Sequence, residues 1–398
     1  MNGLAYLFER FPSFTQTFCY REIGELRRQE VAPAIFSVRR PVDEPAQDWE
    51  ASIADQVEYL PGDEQLVREV DRAVRKEKLP ETAAREIAAW GRKTDFLRLY
   101  QAAWLGPRLQ ALGVRHVHAH FAGLAARTAF WIERFFGIGF SFTGHANDIF
   151  APKPFEISLG RLIGGARAVV TVSDFGVRFL QEKYPDGAAK AHRVYNGIDL
   201  ERFQRADFSG APPTIISIGR LIEKKGFQDL IEACRILRER SLDFRCEIIG
   251  EGPLERALRE QMAAAGLTSC VVLTGPLPQA EVIRRLARSA LFVLPCVAET
   301  GGGMDNLPTV VMEAMAAGLP VISTALAGVP EMVQENVTGL LVPEHQPTAL
   351  ADALGRLLKD RPLSLSLGEA GCARASALFA IEKSGATLRA LFQGFGAL

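Results

Sequence analysis

No apolar run in this chain approaches the roughly 18 residues of a membrane-crossing helix, and its N-terminus lacks a charged stretch followed by an apolar one. Neither a membrane span nor a signal peptide is expected. Basic residues are in no excess: 46 lysines and arginines stand against 47 acidic residues, a formal net charge of -1. A nucleic-acid-binding domain normally carries a visible basic surplus, so nucleic acid is set aside as a partner. The six cysteines (Cys19, Cys234, Cys246, Cys270, Cys296, Cys372) are scattered singly, without a CxxC or a histidine pair at zinc-finger spacing. Reduced core thiols of a cytoplasmic protein are expected. Tandem repeats and low-complexity tracts are missing too. The first strand-to-helix turn, after Leu4 to Phe8, has no G-x-G-x-x-G, which speaks against a dinucleotide cofactor.

What is present is an α/β chain of 398 residues, 48% hydrophobic and 23% charged, too long for one ordinary core and so expected to form two domains. Its organising stretch runs from Ala290 to Pro330. Leu291 to Leu294 reads as a buried strand; Pro295 and a glycine-rich turn follow, and Leu307 to Ala317 has apolar residues at helical spacing. In a parallel sheet the loop after a strand's carboxyl end receives ligands, and the next helix points free N–H groups and its positive dipole end at them. A phosphate is therefore expected near Thr309 and Val310. Asp305 and Glu313, with seven residues between them, flank that place. Ionised carboxylates only accept hydrogen bonds, so their partners there are hydroxyls. Phosphate on a helix end with acids beside it suits a sugar nucleotide; two solvated side chains are the plainer alternative.

Glu313-Ala314-Met315-Ala316 and Gly318-Leu319-Pro320-Val321, with seven residues between Asp305 and Glu313, resemble the donor site of retaining glycosyltransferases of family 4, exopolysaccharide and colanic-acid-type members included. The family's first acid is Glu; here it is Asp305, one methylene shorter. The resemblance implies the GT-B fold: two facing Rossmann-like domains with a C-terminal helix crossing back to the first. Residues 1–203, joined by a helix within 378–398, would be the acceptor-binding domain and residues 204–377 the nucleotide-sugar domain. Leu200 to Pro213, with Gly210, reads as the polar linker.

Other segments carry the likeness further. Phe11 to Phe18 resembles the opening of exopolysaccharide-type members, whose loop approaches donor phosphate and acceptor, and puts Ser13 and Phe14 on the acceptor side; equally, the turn fits a simple helix cap. His116, His118 and His120 alternate onto one strand face, with His120 nearest the carboxyl end and so on the acceptor side. Thr143-Gly144-His145 resembles the family segment whose histidine lies against the donor sugar; a His anchoring its loop through Asp148 is the other reading. Arg220 and Lys225 match the positions that grip the donor diphosphate. Negative charge builds there as the glycosidic bond breaks, and fixed cations lower the barrier. Enzymes lacking them use a metal held by Asp-x-Asp, which this chain does not contain. Gly250 and Gly252 resemble the donor-site turn, Leu277 the nucleobase loop, and Leu307, Thr309 and Val310 the phosphate end of the helix.

The implied activity is metal-independent, cofactor-free, retaining transfer of a hexose-type sugar from a nucleoside diphosphate to a saccharide or lipid-linked acceptor. Arg220 and Lys225 would stabilise the leaving group, Glu313 hold ribose hydroxyls, and Asp305 and His145 attend the sugar. A GT-B epimerase and a weakly active nucleotide-sugar-binding subunit are the alternatives. Finally, Glu64 to Leu109 reads as one helical tract broken at Pro80. Its basic residues (Arg68, Arg72, Arg75, Lys76, Lys78, Arg92, Lys93, Arg98) fit a solvated face or peripheral contact with the inner face of a membrane.

Overall fold

Short apolar runs punctuated by turn residues become strands, and the central ones are buried on both faces, as parallel sheets require. The structure, a computed structural model, describes residues 3–48, 51–91, 93–207 and 212–398; Arg92 and the linker residue Gly210 lie outside the described residues. The chain divides into two compact units. The first runs through Glu44, resumes through Tyr195 and takes in Glu382–Leu398; the second comprises Pro45–Asp48 and Asn196–Ile381.

In the first unit the strands β1 (Leu4–Arg10), β2 (Ala34–Arg39), β3 (Val57–Tyr59), β4 (His116–His120), β5 (Gly139–Gly144), β6 (Val169–Thr171) and β7 (Ala191–Arg193) form one sheet in the order β3-β2-β1-β4-β5-β6-β7. Every pairing in it is parallel. The second unit orders β8 (Thr214–Ile218), β9 (Arg245–Ile249), β10 (Val271–Gly275), β11 (Leu291–Leu294), β12 (Val321–Thr324) and β13 (Gly339–Val342) as β10-β9-β8-β11-β12-β13, again all parallel. These are doubly wound, Rossmann-like sheets. In each, winding reverses between the first strand and the fourth, at β1/β4 and β8/β11, and a ligand crevice opens beyond the carboxyl ends at such a reversal.

The terminal helix, Ile381–Gly394, belongs from Glu382 onward to the first unit. Leu388 and Phe392 are fully buried in the core that also holds Leu4, Tyr6 and Phe8. The Phe392 ring lies 5.2 Å from that of His118 and 6.2 Å from that of Tyr6, and Phe395 sits against His116 at 4.9 Å.

Three readings of the sequence change. The Glu64–Leu109 tract is three helices, Asp63–Arg75, Glu81–Trp90 and Phe96–Ala111; besides the break at Pro80, Gly91 leaves helical geometry at φ 60°. Arg98 is only 4% exposed, so it belongs neither to a solvated face nor to a membrane-facing one. The three-residue β3 went unread because so short a run carries no periodicity. Among the described residues, no helix is long and apolar enough to cross a membrane.

Candidate functional site

The second unit gathers charge at its strand reversal. Beyond β11, Ser323 donates to the carbonyl of Leu294 at 2.7 Å and Thr324 to that of Cys296 at 2.5 Å, tying down the outgoing loop. Beyond β8, the backbone amide of Val297 binds the carbonyl of Lys224 at 3.0 Å. Together these bonds set two lysines beside Asp305. Lys224 Nζ is 3.0 Å from Asp305 Oδ1, and Lys225 Nζ pairs with Oδ2, toward which the Cys296 thiol also points at 3.6 Å. Burial works against an ionised Asp305, but Lys225 and then Lys224 outweigh it and hold the carboxyl at about 2, below its usual 3.8. Burial likewise opposes the Lys225 charge, yet Asp305 leaves that ammonium above its ordinary value. The Cys296 thiol is pushed up by burial, with Asp305 adding to it, and stays protonated. Arg220 is exposed, with no ion-pair partner among the described residues.

This arrangement alters the assignment of Lys225 and Asp305 to separate partners: they are bound to each other. Nor are Asp305 and Glu313 solvated, at 8% and 2% exposure. The helix starts at Thr309, not Leu307, so Glu313 lies just over one turn from its beginning. Leu307 is buried, Leu277 half-buried, and Thr309 and Val310 are half-buried at the helix start. Gly250 and Gly252 have a backbone reason for being glycine. At Gly250, φ is 143° and a Cβ would fall 2.0 Å from the Gly219 carbonyl oxygen; at Gly252 it would fall 2.5 Å from that of Leu221. They seat the loop that carries Arg220 and leave their assignment to the donor unneeded for explaining the residue type.

In the first unit the β1/β4 reversal holds a polar chain inside an aromatic shell. Tyr6 donates to Glu22 Oε1 at 2.6 Å, His120 Nε2 lies 3.1 Å from the same oxygen, and His120 Nδ1 lies 3.0 Å from His145 Nε2. Asp148 accepts from the backbone amides of Ala122, His145 and Ala146. Burial pushes the Asp148 carboxyl up against the pull of those amides. The loop is thus tied through main chain, and the His145 imidazole is left to His120. Burial also pushes His118 and His145 well below the usual imidazole range and His116 to about 3, so these rings are neutral. His116 and His118 share Ser141 on β5, each at 2.8 Å, which places them on one face as the alternation requires.

His120, expected on the acceptor side, is 1% exposed and stands behind His145. Ser13 is likewise buried, its hydroxyl donating to Glu44 at 3.1 Å while Glu44 also takes the Phe14 amide. Ser13 therefore shapes its loop from within, and Phe14 is half-exposed. Cys19, His120 and His145, and separately Glu22, His118 and His120, bring donor atoms within 4.8 Å of one another, close enough to ligate a metal. Hydrogen bonds already satisfy most of those atoms. Reading the sequence missed Lys224, Cys296, Tyr6 and Glu22. Only Lys224 left a signal, as the neighbour of Lys225.

Comparison with known proteins places both units among glycosyltransferases. Residues 200–374 match the family model described as glycosyl transferases group 1, and residues 16–202 the model described as Glycosyltransferase Family 4. The chain belongs to glycosyltransferase family 4. It is similar to the amylovoran biosynthesis glycosyltransferase AmsK of Erwinia amylovora, 42% identical over 172 residues, which are 43% of this chain and 42% of that protein. It is also similar to a GDP-mannose-dependent alpha-(1-6)-phosphatidylinositol monomannoside mannosyltransferase of Mycobacterium tuberculosis, 35% identical over 232 residues, 55% of this chain and 60% of the relative. The matches thus span less than two-thirds of those relatives. Among solved structures, a glycosyltransferase from Rickettsia africae aligns over 98% of both chains with a TM-score of 0.74 at 17% identity. A sucrose-phosphate synthase from Thermosynechococcus elongatus aligns over 99% of both at 0.75 and 17%. These share the GT-B fold, which this family 4 chain adopts.

Proposed function

We propose that this family 4 chain transfers a hexose-type sugar, with retention and without a metal, from a nucleoside-diphosphate sugar to a hydroxyl of a saccharide or glycolipid in polysaccharide assembly. The carrying observation is the Lys224–Asp305–Lys225 cluster at the β8/β11 reversal, with exposed Arg220 on the loop leading into it. Three cations against one carboxylate leave two net positive charges, matched to the charge that develops on a departing diphosphate. Arg220 supplies a planar fork and Lys225 a point charge. Asp305 pairs with both lysines, so their placement precedes substrate and costs little at the moment of reaction. The start of the Thr309–Ala316 helix adds amides. Glu313 is assigned to ribose hydroxyls and His145 to the transferred sugar. The acceptor hydroxyl then attacks on the face the diphosphate leaves, and a donor phosphate oxygen takes its proton, so no protein nucleophile takes part.

The names of the relatives support a polysaccharide or glycolipid acceptor, as do the family models. The test is incubation with UDP-, GDP- and ADP-sugars and product analysis by NMR, which reads the anomeric configuration and separates transfer from epimerisation. Arg220→Ala and Lys225→Ala should each lower turnover at least roughly tenfold with the fold intact, since one lost contact to developing charge costs about 3 kcal/mol. Wild-type turnover in either variant, or a rate abolished by EDTA, refutes the scheme.

A further inference from the structure

The first unit has a cavity away from its β1/β4 reversal. It opens beyond the carboxyl ends of β2 and β3, between residues 38–42 on one side and 58–63 on the other, and holds about 700 Å³. Ligand pockets generally span roughly 300–1,000 Å³. Every residue lining it belongs to the first unit. Because β3 and β2 are the outer strands on that side, the cavity lies two strand spacings, about 10 Å, from the reversal.

Two aromatic side chains make its apolar part. The Tyr59 phenol donates to the Phe11 carbonyl at 3.1 Å and the Trp104 indole N–H to Glu69 at 2.7 Å. Both polar ends are spent, so what these residues offer a ligand is ring carbon. Arg40 lies over the Tyr59 ring at 4.1 Å and Arg108 over the Trp104 ring at 3.3 Å, which holds both rings in place. Val42, 68% exposed, adds an open apolar side chain. Charge around the rings is balanced, Arg39 and Arg40 against Glu58 and Asp63. Glu58 has Arg108 at 3.5 Å. Arg39 and Asp63 are exposed and have no side-chain hydrogen bond or ion pair among the described residues. A guanidinium only donates and a carboxylate only accepts. An anion entering here therefore meets two carboxylates and a cation two guanidiniums, whereas a hydroxyl, which donates and accepts, is matched by either. Phosphates and lipid headgroups are disfavoured by that balance, and a wholly apolar ligand leaves the charges desolvated and unpaired. A neutral sugar ring has both the hydroxyls and a C–H face to bury on aromatic carbon.

We propose that this cavity is a second glycan site, where a neutral hexose ring packs on Tyr59 and Trp104 while Arg39 and Asp63 hold its hydroxyls. That the glycan is the acceptor of transfer rests on the activity proposed above; its binding does not. The site then holds the part of a long acceptor that lies away from the reacting hydroxyl.

Saturation-transfer NMR with maltotriose, cellotriose and mannotriose, without any nucleotide sugar, reads the site directly. At least one trisaccharide should receive saturation at its ring C–H protons, and inorganic phosphate should not displace it. Arg39→Ala combined with Asp63→Ala removes two exposed side chains and should weaken that binding at least about tenfold with circular dichroism unchanged. Trp104→Ala should abolish the signal, and Trp104→Phe, which keeps a ring without the indole N–H, should retain most of it; a merely structural role for Trp104 predicts no such rescue. With the bound trisaccharide as acceptor, the double variant should raise KM at least about tenfold and leave kcat unchanged. No saturation transfer to any of the three sugars, or wild-type affinity in the double variant, overturns the proposal. So does displacement by phosphate, or binding of phosphatidylglycerol vesicles that requires Arg39 and Arg40. An unchanged KM overturns the acceptor role alone. A wild type that transfers no sugar refutes the proposed activity, while the NMR signal still decides the cavity.

Discussion

Replacing Asp305 by Asn removes one charge at nearly constant volume and leaves two partly buried lysines without their carboxylate. The side chain is 12% exposed and each lysine 13%, so solvent screens the cluster only weakly. Its carboxyl sits at about 2 in the folded chain against 3.8 ordinarily. Close to two pKa units at 1.36 kcal/mol each make the ionised form's contribution about 2–3 kcal/mol at neutral pH. Breaking a buried pair by removing one partner typically costs about 3–5 kcal/mol, so the linkage figure is the lower bound we use. For a unit of this size each kcal/mol moves the melting temperature by about 2–4 °C, and the second unit of Asp305→Asn should melt on the order of 5–10 °C below wild type at pH 7. The sign with pH follows from the lowered carboxyl. Its stabilisation is complete above the unfolded value near 3.8 and is lost as pH falls through the folded value near 2, so the gap between variant and wild type should narrow across that window. Calorimetry of both proteins from pH 7 down to pH 2 measures it. A variant melting within about 1 °C of wild type at pH 7, where 2 kcal/mol predicts several degrees, refutes the buried pair. A gap that stays constant or widens below pH 4 refutes its electrostatic origin.

Gly250→Ala should destabilise the second unit by at least about 1–3 kcal/mol, because φ 143° is strained for any side chain and the added carbon meets the Gly219 carbonyl. Weakened nucleotide-induced thermal shift should accompany the loss, since the same loop carries Arg220. Phe392→Ala empties a fully buried ring site against Tyr6 and His118 and should cost the first unit about 3–5 kcal/mol in denaturant unfolding. Glu44→Ala frees Ser13 and the Phe14 amide and removes charge-assisted hydrogen bonds worth about 1.5–3 kcal/mol. Hydrogen exchange at Phe14 should quicken, and unchanged protection would show that Glu44 does not hold that loop.

Much of this molecule was written in local pattern. Leu291–Leu294 is a strand at the residues its apolar run marks, and the helix through Arg28 ends there. Ser173 caps the following helix by accepting from the Gly176 amide at 2.8 Å. Such features depend on neighbours within a turn or a pleat, and composition and spacing are enough to specify them. The acidic pair, the cationic loop and the histidine at the end of β5 were likewise visible as residue types in the right order along the chain. Partnership was not. Lys225 lies 80 positions from the aspartate that binds it, and His120 lies 98 from Glu22. Their meeting depends on which strands flank the point where each sheet reverses, a choice made by burying both faces of a parallel sheet. Spacing along the chain carries no record of that choice. It is the reversal at β8/β11 that turns two candidate ligand contacts, Lys225 and Asp305, into a buried ion pair, and the one at β1/β4 that draws His120 inward behind His145.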